Sequence, residues 1–125
     1  MKNNIPFARR GESDAAEYAV SHGFEVLERN YRIPGGEIDL VLRRSDGMIV
    51  FTEVKARSGE QYGTPEEAIT ARKMALLKRA AGHYMRAHYP GEDTAWRIDV
   101  AALDYSPDQK TLLDLRWYED AGNEF

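Results

Sequence analysis

Hydrophobic and polar residues alternate along this chain with two different periods, and the points where the period changes delimit its elements. From Ser13 to His22 the spacing is helical. Ser13 can cap the first turn, Asp14 and Glu17 suit its positive end and Gly23 closes it, which predicts a short helix over about 14–22. Phe24 to Arg32 reads as a strand, stopped by Ile33-Pro34-Gly35-Gly36. Two runs of period two follow, over about 37–43 and 48–57, and the turn Ser45-Asp46-Gly47 between them predicts a β-hairpin. Ile38, Leu40, Leu42, Val50 and Val54 then share one face, expected to be core. Asp39, Val41, Phe51, Glu53 and Lys55 share the other, expected to carry the chemistry.

Beyond the hairpin, the small and polar run from Ser58 to Gly63 reads as a loop leading into a helix start. Thr64 can cap the amide of Glu67, Glu67 can reach back to Thr64, and Pro65 sits where its missing N–H costs nothing. An apolar stripe continues through Met74, Leu77, Ala81, Tyr84, Met85 and His88, with a break or bend expected near Thr70. Pro90-Gly91 ends it, Trp96 to Leu103 reads as a strand, and Ser106-Pro107-Asp108 turns the chain into a last strand over about 112–118. The expectation is a flexible segment at 1–10, one domain over 11–118 and a tail at 119–125. Its fold class is α/β, a mixed sheet flanked by helices in the order α-β-β-β-α-β(-β).

Composition narrows what such a domain can do. With 125 residues, 42% of them hydrophobic, the chain can bury a core of its own. It has no cysteine, which excludes disulfides, thiolate metal sites and a cysteine nucleophile. No apolar run approaches the roughly 20 residues that span a bilayer, and the start lacks a signal-peptide pattern, so a cytoplasmic protein with no membrane partner is expected. A net charge of −4 argues against a generic nucleic-acid coat, although arginines and lysines can still gather around one cleft.

The hairpin holds the strongest chemical signal. If it is centred on Asp46, Asp39 lies directly across from Glu53 and Glu37 across from Lys55. Opposed residues of antiparallel strands have Cβ atoms roughly 4.5–5.5 Å apart, close enough for two carboxylates to hold one divalent cation, and Lys55 emerges on the same face. This is the arrangement of a metal-dependent nuclease centre. The plainer alternative is a pair of cross-strand ion pairs, Glu37 with Lys55 and Asp39 with Arg57. Arg72, Lys73, Lys78 and Arg79 are likewise either a solvated helix face or a track for phosphates. His22, His83 and His88 have no second ligand at a metal spacing and are taken as structural. Tyr18, Tyr84, Trp96 and Trp117 are taken as packing residues.

Asp39 followed by Glu53-Val54-Lys55, in this order of elements, resembles the PD-(D/E)xK nuclease superfamily with its restriction-endonuclease-like fold. Gly11-Glu12 with Ala15-Ala16, Asn30-Tyr31-Arg32, Gly36-Glu37-Ile38-Asp39-Leu40, Phe51 to Arg57, Gly63 with Pro65 and Glu67-Ala68, Lys73, and Arg97-Ile98-Asp99-Val100 narrow the resemblance to the bacterial YraN family over about residues 11–103. That family is similar to archaeal Holliday junction resolvases, homodimers that cut branched DNA with magnesium. The resemblance implies a metal-dependent endonuclease acting on structured or branched DNA, with Mg2+ or Mn2+ as cofactor and a homodimer as the working unit. It implies Asp39 and Glu53 as metal ligands, the Val54 carbonyl as a further ligand, Lys55 as the catalytic lysine, and Glu12 or alternatively Glu17 as the helix carboxylate. Ile38 stands where the wider superfamily carries proline. Arg32, Arg57 and Lys73 are the candidate contacts to the nucleic-acid backbone. Arg97 and Asp99 are expected to form a buried polar pair that supports the site. The alternative is a catalytically silent nucleic-acid-binding or protein-interaction module on the same fold, the latter suggested by the aromatic last strand Leu115-Arg116-Trp117-Tyr118.

Overall fold

The computed structural model describes residues 6–59 and 63–123. Helix α1 spans Phe7–Ser21, strands β1, β2 and β3 span Glu25–Ile33, Gly36–Arg43 and Ile49–Ser58, helix α2 spans Ala71–His88, and strands β4 and β5 span Trp96–Tyr105 and Leu112–Tyr118. Short 3-10 turns lie at Pro65–Ala68 and Ala121–Asn123. The five strands form one sheet in sequence order. Neighbours run antiparallel except β3 and β4, which are parallel and joined through α2. The expected mixed sheet with helices on it, in the order α-β-β-β-α-β-β, is what the chain forms.

The first helix begins earlier than its capping signals suggested. Pro6 occupies the N-cap without a side-chain hydrogen bond, Phe7 to Arg10 are helical, and Ser13 lies inside the helix rather than at its start. Proline's fixed φ favours a helix start and its ring cannot continue one, so Pro6 outweighs Ser13 as the punctuation. Of the segment expected to be flexible, residues 1–5 lie outside the described residues; of the expected loop, residues 60–62 do. The expected tail is also structured in part. The Asp120 amide donates to Asp99, and Ala121 is fully buried beneath the sheet.

The break foreseen near Thr70 is real. Thr64 and Glu67 form the reciprocal capping box, the Thr64 amide bonding the Glu67 carboxylate at 2.6 Å, but it opens only a single 3-10 turn. Thr70 then caps a separate helix, its hydroxyl accepting the Lys73 amide at 3.1 Å. The turn is anchored from below by Glu66. Arg116 on β5 grips both oxygens of Glu66 at 2.6 and 3.0 Å, and the Tyr118 hydroxyl donates to it at 2.6 Å.

Both faces of the sheet are core, which corrects the expected division into a core face and a chemical face. Val41, Ile49, Phe51, Ile98 and Val100 pack beneath α2 with Met74, Leu77, Ala81 and Tyr84. Leu40, Leu42, Val50, Val54, Ala101 and Leu103 pack against α1 through Ala15, Ala16 and Ala19. A parallel crossover places its helix over one face, and α1 covers the other, so a central strand such as β3 is apolar on both sides. Ile38 joins the α2 layer rather than following Leu40, so the two-residue alternation slips at Asp39. Gly11 makes the α1 packing possible. A Cβ there would stand 3.1 Å from that of Ala56, tighter than an ordinary contact, so a side chain would require α1 or β3 to give by a few tenths of an ångström.

The Arg116 and Tyr118 contacts hold the Glu66 carboxyl well down, at about 2 against an ordinary 4.5. A depressed folded value contributes stability that is present above the unfolded pKa and is lost as pH falls through the folded one. Replacing Glu66 by Gln is therefore expected to cost about 1–3 kcal/mol at neutral pH. It should also remove much of the stability loss between pH 5 and 2, both read from urea unfolding at a series of pH values.

Candidate active site

The hairpin register is the expected one, but the ladder stops at the point that matters. Arg43, Leu42, Val41 and Leu40 pair with Ile49, Val50, Phe51 and Thr52. Beyond Leu40 and Thr52 the two strands fork: β2 continues paired only to β1, and β3 only to β4. Asp39 and Glu53 are the first residues past the fork. In place of the next backbone bond, the Asp39 carboxylate accepts the Val54 amide at 2.8 Å. The N–H and C=O of one residue in an extended strand project to the same side, so the Val54 carbonyl also faces this gap.

The fork opens into a cleft of about 330 Å³, lined among others by Glu12, Asp39, Glu53, Lys55, Arg57 and Lys73. Glu53 is 1% exposed and Asp39 8%. Oε2 of Glu53 lies 3.5 Å from the Lys55 ammonium and 3.4 Å from that of Lys73. Its other oxygen, Oε1, is buried with no hydrogen-bond partner. Asp39 shows the consequence of crowding two acids where water is scarce. Burial, and then the neighbouring Glu53, push its carboxyl up to about 8, against the pull of the Val54 amide.

These features test whether a hard divalent cation suits the site. Among the described residues no set of three His, Cys, Asp or Glu side chains converges to chelate a metal. That leaves two carboxylates and a carbonyl, the sparse oxygen set that suits magnesium, which keeps several of its waters and binds few protein groups. Glu53 has one buried oxygen that no amide or hydroxyl meets, beside a second acid that burial and this neighbour keep protonated, and a cation between the two acids would take the place of that proton. The donor set fits.

Other expected residues divide clearly. Glu12 lines the cleft and Glu17 does not; Glu17 belongs to a separate hollow with Asp14, Tyr18 and Leu112. Glu12 is held in place by Asn30, whose side chain donates to it at 3.0 Å, and by Arg9 at 3.3 Å. Asn30 sits in the left-handed region at φ 53, a conformation asparagine tolerates, and its supporting role had no signal in the strand pattern. Arg57 reaches the cleft, while its Nη1 donates to the Ala56 carbonyl and its Nε is buried without a partner. Arg32 does not line the cleft; it is exposed and bonds Glu37 at 2.6 Å. The alternative cross-strand pairs, Glu37 with Lys55 and Asp39 with Arg57, do not form, because the strands have parted there. On α2, Lys73 turns inward to Glu53, Arg79 reaches the Pro34 carbonyl at 3.2 Å, and Arg72 and Lys78 are exposed.

Arg97 and Asp99 do form the expected buried pair, at 2.9 and 3.2 Å. Asp99 also accepts from the Trp117 indole at 2.8 Å and the Asp120 amide at 2.9 Å. Trp117 stacks on Tyr18 near the far end of α1, so the pair fastens β5 and the C-terminal turn to β4 rather than the cleft. His22 stacks on Tyr18, His83 meets the Tyr31 hydroxyl, and His88 stacks on Tyr84.

The raised Asp39 carboxyl has a measurable sign. Metal-free protein takes up a proton on folding, so the associated stability is fully present below the unfolded value of 3.8 and lost as pH rises through about 8. In EDTA the wild-type unfolding midpoint should fall across that window, and Asp39→Asn should flatten the slope and exceed the wild type at pH 8. Equal slopes in urea titrations of the two proteins would show that Asp39 ionises normally.

No helix among the described residues is long and apolar enough to cross a membrane. A chain in the structure of an EndoMS–dsDNA2 complex superposes with a TM-score of 0.45 and 19% identity, covering 78% of this chain and 36% of that one. The relatives in sequence are much nearer. A protein of Deinococcus radiodurans is 43% identical over 101 residues, 81% of this chain and 82% of its own. One from Symbiobacterium thermophilum is 43% identical over 98 residues, 78% and 81% of the two chains. One from Chloroherpeton thalassium is 32% identical over 126 residues, 97% and 96% of the two. All three carry the same family label, and with the model of the uncharacterised protein family UPF0102 matching residues 11–103, the span of the YraN resemblance, the chain belongs to the UPF0102 (YraN) family.

Proposed function

We propose that the protein is a metal-dependent endonuclease that hydrolyses phosphodiester bonds of DNA, with structured or branched DNA as its substrate class. The observation that carries the reading is Glu53, a buried carboxylate with one oxygen that no amide or hydroxyl meets, beside a second acid at the place where the ladder between β2 and β3 ends. Asp39, Glu53 and the Val54 carbonyl would hold Mg2+ or Mn2+. The ion would supply charge neutralisation and a Lewis acid for the phosphoryl oxygen.

The remaining groups have tasks set by position. Lys55, 31% exposed at the cleft, orients the attacking water and offers positive charge where the pentavalent phosphate develops it. Arg57, two residues further along β3 and lining the same cleft, takes the neighbouring phosphate. Glu12 adds a third acid near the site, within reach of the Asp39 charge, and acts by orienting water rather than by replacing a ligand, since Asn30 and Arg9 already hold it. Cutting both strands of a junction symmetrically calls for two such sites, hence a pair of copies.

Calorimetry with Mn2+, followed by cleavage of branched, single-stranded and duplex DNA, tests this reading. Wild type should bind metal and cut, with branched DNA preferred. Asp39→Asn and Glu53→Gln should lose both properties, while Lys55→Met should still bind metal but cut on the order of 10²–10³-fold more slowly. Full cleavage by Glu53→Gln would remove the proposal, and metal binding without cleavage of any substrate would leave a silent binding module.

A further inference from the structure

We infer that Lys73 is an exchangeable counter-ion of this site, paired with Glu53 while no cation is bound and passing to a DNA phosphate once one is. The inference rests on the metal-dependent reading above and assigns that site a regulation of its own: metal and nucleic acid bind cooperatively through one lysine.

The argument begins with where Lys73 comes from. It is the third residue of α2, and its amide is tied to the Thr70 hydroxyl, so the base of the side chain is fixed. Its ammonium crosses to β3 and stands 3.4 Å from Oε2 of Glu53, the same oxygen that Lys55 approaches at 3.5 Å. Both distances are those of ion pairs rather than tight hydrogen bonds. The Lys73 side chain is 32% exposed while its partner is 1% exposed. A flexible, strongly hydrated ammonium with one side open to solvent can leave such a contact by rotating its stem, whereas the carboxylate on the strand cannot follow.

Charge makes the exchange directional. Lys55 and Lys73 both face Glu53, next to Asp39, while the other charges lining the cleft are engaged elsewhere: Glu12 with Arg9 and Asn30, Glu37 with Arg32, and Arg57 with the Ala56 carbonyl. A divalent cation added at Asp39 and Glu53 would bring a surplus of positive charge next to the two ammoniums, and both would be repelled from the oxygen they now share. A phosphodiester entering the cleft is the group that answers this surplus. Lys73 and Lys55 are equally exposed, at 32% and 31%, but Lys73 stands on the helix rather than on the strand that holds the ligands, so it can turn toward the phosphate without disturbing them. By linkage, whatever metal gains from the phosphate the phosphate gains from metal.

The test uses Lys73→Met, which keeps helix propensity and stem length, with Lys73→Arg retaining the charge and Arg72→Met as an exposed control on the same turn. In calorimetry with Mn2+ and no DNA, Lys73→Met should bind the ion at least about fivefold more tightly than wild type, while the two other variants match wild type. In binding to a branched DNA with calcium in place of the reactive ion, Lys73→Met should be weaker, and its log–log salt slope should fall by about one. Equal or weaker metal affinity in Lys73→Met, with wild type binding normally, overturns the exchange and leaves the metal site standing. Absence of metal binding in wild type and in every variant overturns the metal reading, and the exchange with it.

Discussion

Two carboxyl groups that water scarcely reaches stand together where β2 parts from β3, and most of the local architecture answers that repulsion. A lone carboxylate buried in apolar surroundings is too costly to persist, so each acid must be met by a donor, a cation or a proton. Asp39 takes the Val54 amide and tends to keep its proton; Glu53 draws lysines from both its own strand and the helix above. Neither acid contributes to stability in the way a surface ion pair does. A fold that retains such a pair where its central strands part gives up stability at that spot.

The cations are distributed to the same end. The chain is acidic overall, yet much of its arginine is matched at the periphery: Arg116 against Glu66, Asp104 and Asp114, Arg43 against Glu25, Arg44 against Asp46, Arg32 against Glu37. Lys55, Lys73 and Arg57 converge instead on the cleft. A net charge of −4 therefore says little about the field at the site, which is set by the acids and cations gathered within one Debye length of the cleft rather than by remote pairs that cancel.

Much of this was legible in the chain because it depends on local rules. The turn at Asp46 set the register that places Asp39 level with Glu53, the Thr64 capping box formed, and Arg97 with Asp99 made the buried pair that their alternation suggested. What was not legible depends on partners distant in sequence. The end of the ladder at Leu40 reflects the Asp39 side chain competing for a backbone amide, which no periodicity records. Burial of both sheet faces follows from two helices docking on opposite sides. The inward turn of Lys73 was hidden for a related reason: the sequence offered it as a candidate phosphate contact within the basic run from Arg72 to Arg79 or as part of a solvated face, and only Thr70 as the cap of a separate helix puts it at the first turn, above β3 and against Glu53. The helix start at Phe7 shows the opposite error, where an attractive cap at Ser13 concealed a better one at Pro6.

The parallel pairing of β3 with β4 has a consequence for the order in which the protein assembles. Strands β1, β2 and β3 form a meander of neighbours whose contacts close short loops, whereas β4 can join β3 only after α2 and the residues on either side of it have been made. Long-range closure is the slower step. On a ribosome the acids are thus synthesised before Lys73 exists, and β3 is for that interval an edge that carries Glu53, with Asp39 on the strand beside it. A nascent chain of this kind is protected from edge-to-edge association by the very charges that later define the cleft.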